Sequence, residues 1–120
     1  MDFLKMLRNW KDVDEFPADT VIFQERHPVD FLYIIMSGQI DLTLRGESLG
    51  NEEVGGIIGE MALINSNIRS ATITAKTDCR LALIDQASFN SLLRYVPDFS
   101  QHVMKVLADR LKHAYEVIGD

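Results

Sequence analysis

The chain has 120 residues, 47% of them apolar, enough to build one core and too few for two ordinary domains. Its formal charge of −6 repels nucleic acid, and no run of Lys or Arg offsets it, so direct nucleic-acid binding is not expected. The longest apolar run, Phe31 to Met36, is far below the roughly 20 residues that span a bilayer. The start, Met1-Asp2-Phe3-Leu4-Lys5, lacks the layout of a secretion leader, and the expectation is a cytoplasmic domain without a membrane partner. Cys79, the single cysteine, has no partner for an internal disulfide and reads as a buried thiol. His27, His102 and His113 lie far apart in the sequence without metal-ligand spacing, so no metal cofactor is expected.

At the N-terminus, Phe3, Leu4, Met6, Leu7 and Trp10 recur among charged residues at helical spacing, which predicts a short amphipathic helix ending near Trp10. From Phe16 the rhythm changes to short apolar runs between turn residues. Strands are predicted at Thr20–Phe23, Phe31–Met36, Gln39–Leu44, Ala71–Ala75 and Arg80–Ile84. Gln39 to Arg45 alternates polar and apolar residues, as a strand with one buried face does, and Ser37-Gly38 before it predicts a tight turn pairing it with the preceding strand. After Ile84 the helical period returns: Asp85 or Ser88 caps a helix carrying Phe89, Leu92 and Leu93, which Pro97 stops. A last helix begins near Asp98, with Phe99, Val103, Leu107, Leu111, Ala114 and Ile118 forming its apolar stripe. That stripe has two readings, as a cover for the strands or as a contact with another subunit. Close, even strand spacing without helix-length separations favours an antiparallel arrangement. The predicted class is therefore α+β, mainly β. It is an antiparallel β-roll, or jelly-roll-like barrel, over 16–85, with a short N-terminal helix within 1–12 and two C-terminal helices over 86–119, all in one domain spanning 1–120.

The chemically informative stretch is Gly55-Gly56-Ile57-Ile58-Gly59-Glu60-Met61-Ala62-Leu63-Ile64, followed by Asn65-Ser66-Asn67-Ile68 and Arg69-Ser70-Ala71-Thr72. Glycines before one helical turn let backbone N–H groups face an anion. Arg69 adds a permanent charge and a planar donor fork suited to phosphate, while Glu60 can accept from hydroxyls. An anion site beside a hydroxyl acceptor matches a ribose phosphate. The same two residues equally fit an ordinary surface salt bridge at a helix start.

Gly59-Glu60-Met61-Ala62-Leu63, then Arg69-Ser70-Ala71-Thr72-Ile73-Thr74-Ala75, resembles the phosphate-binding cassette of the cyclic-nucleotide-binding domain family, which includes regulatory subunits of cyclic-AMP-dependent kinase and the bacterial catabolite activator. Phe16 to Phe23, Leu32 to Gly38, and Phe89 to Pro97 follow the family's order, so the resemblance covers nearly the whole chain. It implies a cassette over 59–72 with its own helix. Glu60 would accept the ribose 2′-hydroxyl, and Arg69 would neutralise the cyclic phosphate of cyclic AMP or cyclic GMP. Backbone N–H groups of Met61, Ala62 and Ala71 would add donors, Gly59 would permit close approach, and the Ser70 hydroxyl would face phosphate or base. Thr72 reads as an ordinary strand residue. Arg26-His27 stands where relatives often carry Gly-Asp, so that turn takes another conformation. Tyr115 has two readings, as a lid over the base or as a helix-surface or interface residue.

The implied function is a non-enzymatic regulatory module that signals through its last helix to a partner protein or to a second copy in a homodimer. The alternative is a dimerisation or scaffold module of the same fold that binds no nucleotide. A cupin-type metal enzyme would need clustered His and acidic ligands, which the three histidines do not supply.

Overall fold

A computed structural model describes residues 5, 7–23, 31–59 and 72–118. Among these, strands β1 (Val13–Phe16), β8 (Cys79–Ile84), β3 (Leu32–Ser37) and β6 (Ile57–Ile58) form one sheet in that order. Strands β2 (Val21–Phe23), β7 (Thr72–Ala75), β4 (Ile40–Leu44) and β5 (Glu47–Glu52) form the second. Every pairing is antiparallel. The chain changes sheet at each connection except β4 to β5, which produces the expected β-roll.

The five predicted strands are present with ends shifted by a residue, and β1, β5 and β6 are additional. The β4–β5 hairpin turns through Arg45 and Gly46, both at positive φ (53° and 82°), with Leu44 opposite Glu47. Two consecutive positive φ values match the twist a two-residue hairpin needs. β5, Glu-Ser-Leu-Gly-Asn-Glu, escaped the sequence reading because Gly, Asn and Glu are weak strand formers.

The expected pairing of Phe31–Met36 with Gln39–Leu44 is incorrect. β3 pairs with β6 and β8, whereas β4 pairs with β5 and β7. Ser37-Gly38 is a corner between sheets, not a hairpin turn. It packs on a second corner at Lys76 to Asp78: Gln39 N–H donates to Thr77 Oγ1 (3.1 Å) and Lys76 N–H to Gln39 O (2.9 Å). Gly38 has φ +93°, and a Cβ there would lie 2.4 Å from the Asp78 carbonyl oxygen. Only glycine fits this corner without strain. Cys79 is buried, as expected, with Sγ 3.1 Å from Gln39 O.

β3 is buried on both faces, which explains its unbroken apolar run. Leu32 and Ile34 join Ile57, Ala82, Ile84, Phe89, Leu92 and Phe99 between the first sheet and the helices. Tyr33 and Ile35 join Ile40, Ile58, Ile73 and Leu81 between the sheets. Tyr33 stacks on Phe23 at 5.7 Å between ring centroids and meets Phe16 edge-on at 6.4 Å. Such aromatic packing adds about 0.5–1.5 kcal/mol per pair beyond area burial.

Helix α1 spans Gln86–Tyr95 and α2 Pro97–Ile118. Of the two predicted caps, Asp85 is the one used: its carboxylate accepts from Ser88 N–H at 2.7 Å. Pro97 stops α1 and also opens α2, where its fixed φ and missing N–H are tolerated. Phe99 and Val103 are buried, and Val106 and Leu107 pack against the same core. Beyond them Leu111 and Tyr115 are exposed, with Met104 on the outer face. The first half of the stripe thus covers the roll. At the other end, a 3-10 turn at Leu7–Asn9 buries Leu7, and the Trp10 indole N–H donates to Leu83 O at 2.9 Å, tying this segment to β8.

Candidate ligand site

Residues 59–72 connect the two sheets. β6 lies at the edge of the first sheet, pairing Ile57 and Ile58 with Ile34 and Tyr33. β7 lies inside the second, with Thr72 opposite Thr43 and Ile73 opposite Leu42. The two ends of the connecting segment therefore lie in different sheets. Gly59 closes β6 with φ +88°, a conformation other residues seldom adopt, and turns the chain out of the sheet. Thr72 is a half-buried strand residue, as predicted. Glu60, Met61, Ala62, Arg69, Ser70 and Ala71 lie outside the described residues, as does the Arg26-His27 turn.

The glycines preceding β6 act in the lead-in. Gly55 N–H donates to Ile35 O (2.9 Å), Gly56 N–H to Glu53 O (2.8 Å), and Ile35 N–H to Gly56 O (3.0 Å). Gly55-Gly56 thus forms a turn zipped to β3, while Gly59 follows β6 at positive φ.

α2 runs along this lead-in. Arg110 Nη2 donates to Ile57 O, and its guanidinium lies 3.2 Å from Glu52 Oε1, with the two side chains 29% and 26% exposed. A half-buried pair of this kind contributes little as an isolated ion pair. Its larger effect is to supply a donor to a carbonyl on the outer edge of the sheet, where an unpaired group would be costly. Two turns earlier on α2, His102 Nε2 is 2.6 Å from Gly55 O. Because a carbonyl only accepts, Nε2 carries the proton.

Between α2 and the β4–β5 hairpin lies a cleft of about 540 Å³ lined by Leu42, Gly50, Asn51, Glu52, Val106, Asp109 and Arg110. That volume falls within the roughly 300–1,000 Å³ of small-molecule sites. Leu42 forms its apolar floor beside Ile73, the second residue of β7. Gly50 faces Leu42 across the hairpin, and its missing side chain leaves open space there. The cleft therefore combines the apolar Leu42 and Val106 with the Arg110 guanidinium and the carboxylates of Glu52 and Asp109, beside β7. Tyr115 lies beyond it, 67% exposed, and α2 lines the cleft with Val106, Asp109 and Arg110 instead.

The sequence reading gave no ligand-site role to Leu42, Gly50, His102 or Arg110. Their one local signal is that Arg110 follows Val106 by one helical turn, on the flank of the apolar stripe. Among the described residues no group of three or more His, Cys, Asp or Glu is arranged to hold a metal, and no helix is long and apolar enough to cross a membrane.

Comparison with known proteins matches residues 13–95 to the family model described as Cyclic nucleotide-binding domain. The chain is 28% identical over 112 residues to the CRP-like cAMP-activated global transcriptional regulator of Mycobacterium tuberculosis, covering 88% of this chain and 50% of that protein. It is 35% identical over 78 residues to the cAMP-dependent protein kinase regulatory subunit of Candida albicans, covering 65% of this chain and 17% of that protein. Among solved structures, the catabolite activator protein of Thermus thermophilus superimposes with a TM-score of 0.76 at 26% identity, over 94% of this chain and 55% of that one. The chain thus spans half or less of these curated relatives.

Proposed function

Because the chain belongs to the cyclic-nucleotide-binding domain family, we propose that it is a regulatory module, not an enzyme, whose cassette over 59–72 binds a cyclic nucleotide. The observation that carries this reading is the junction itself. In sequence, the motif Gly59-Glu60 to Arg69-Ser70-Ala71 falls in the connection from the edge of the first sheet to the interior of the second, and the cleft between α2 and the hairpin adjoins β7. Arg69 neutralises the phosphate, and Glu60 accepts the ribose 2′-hydroxyl. The N–H groups of Met61, Ala62 and Ala71 and the Ser70 hydroxyl complete the shell. The base extends over Leu42 into the space left by Gly50, toward Arg110. In this reading cyclic AMP is favoured over cyclic GMP; relatives are named for both nucleotides.

Ligand binding biases the position of α2, whose exposed Met104, Leu111 and Tyr115 meet a cytoplasmic partner protein or a second copy of the chain. Met104, Leu111 and Tyr115 recur at intervals of seven and four residues, the spacing of a helix seam. That stripe also supports the second reading, an assembly module without nucleotide.

Titration calorimetry with cyclic AMP and cyclic GMP tests the proposal. Arg69→Ala should cost about 2–5 kcal/mol of binding, roughly thirtyfold to several thousandfold in affinity. Normal binding by that variant would remove Arg69 from the site, and no heat from the wild-type chain with either nucleotide would favour the assembly module.

A further inference from the structure

We infer that His102 is a positioning residue for the ligand site: through the Gly55 carbonyl it holds the lead-in of the cassette against α2, and so couples cassette and helix. The inference rests on the cyclic-nucleotide reading of residues 59–72. β6 is only two residues long and sits at a sheet edge, so its own ladder holds the cassette entrance weakly. The entrance is set instead by the Gly55-Gly56 turn, bonded on one side to Ile35 and on the other, at 2.6 Å, to His102 Nε2. His102 is itself placed by its neighbour Val103, which is buried, and by Phe99, which is fully buried one turn earlier. A shift of α2 therefore pulls on Gly55, four residues before Gly59. Conversely, a cassette tightened by a ligand pulls on α2. His102 lines a recess with Gly55 and Gly56 that adjoins the cleft holding Leu42 and Arg110, and its contact with the lead-in is to the Gly55 carbonyl.

Two substitutions separate positioning from bulk stability. His102→Ala removes the donor, whereas His102→Gln keeps a terminal N–H able to reach the same carbonyl. Calorimetry with cyclic AMP should show an affinity loss of about tenfold for His102→Ala and recovery to within about threefold of wild type for His102→Gln. Amide hydrogen exchange supplies the local readout. In His102→Ala, the Gly55 and Ile35 amides should exchange faster while β1 and β8 stay protected, and ligand-dependent protection of α2 around Met104 to Leu111 should be lost. His102→Gln should restore both. Wild-type binding by His102→Ala, equal losses in both variants, or exchange accelerated evenly through the sheets would each overturn the inference. If the wild-type chain itself binds no cyclic nucleotide, the nucleotide reading fails instead, and the exchange of Gly55 and Ile35 judges the anchor by itself.

Discussion

Replacing Gly38 by Ala tests the reasoning that makes Ser37-Gly38 a corner between sheets. The backbone at Gly38 has φ +93°, so any side chain is held in a sparsely populated conformation, at a cost of about 1–3 kcal/mol. An added Cβ would also stand 2.4 Å from the Asp78 carbonyl oxygen and 2.8 Å from Cys79 Sγ. Neither can move freely, because Asp78 and Cys79 belong to the adjoining corner and the start of β8. Displacing them resembles overpacking, about 1–3 kcal/mol more. The sum, about 2–6 kcal/mol, is a large share of the 5–15 kcal/mol that stabilises a typical domain. Gly46→Ala is the matched control: φ there is +82°, but a Cβ would meet nothing within 4 Å, so only the backbone cost of about 1–3 kcal/mol applies. Urea unfolding with a common m value would give both numbers. A Gly38→Ala variant no less stable than Gly46→Ala would refute the steric argument and the tight apposition of the two corners.

Two further outcomes follow from named contacts. Glu60→Ala should weaken binding of cyclic AMP more than that of its 2′-deoxy analogue, by about tenfold or more if one charge-assisted hydrogen bond is lost; equal losses in calorimetry would remove the proposed hydroxyl contact. The Ser88 N–H, and then the Ser88 hydroxyl, hold the Asp85 carboxyl below the ordinary aspartate range. Since its folded pKa is depressed, its contribution is present above the unfolded value, near about 3.9, and fades as pH falls through the folded value. Asp85→Asn keeps a capping side chain but removes this titration. Wild type should therefore melt above Asp85→Asn near neutral pH, with the difference shrinking as acid protonates Asp85, and an acid dependence unchanged by the substitution would count against the cap as its source.

Parts of the molecule were legible because their signals are local. The β3 run reads as a strand from its apolar residues alone, and α1 is bracketed by a capping Asp85 and a stopping Pro97. The first turns of α2 show their buried side through Phe99 and Val103. At 59–72 the sequence offered a motif, whose residues 60–71 lie outside the described ones. Two-residue β6 and polar β5 carry too little apolar pattern to be seen. The pairing of β3 with β4 was misjudged because alternation reports which side chains are buried and says nothing of the strand across from them.

The sequence by itself determined the class of fold, the two C-terminal helices and the residue types gathered at 59–72, because propensity and motif chemistry act over a few neighbouring residues. Only the tertiary structure decided which sheet each strand joins, that Gly38 turns a corner, and that His102 and Arg110 grip carbonyls at Gly55 and Ile57. Those last contacts join residues 47 and 53 positions apart, and they exist because α2 is docked by Phe99 and Val103 onto the roll. No local pattern records where a helix comes to rest once its apolar face is buried.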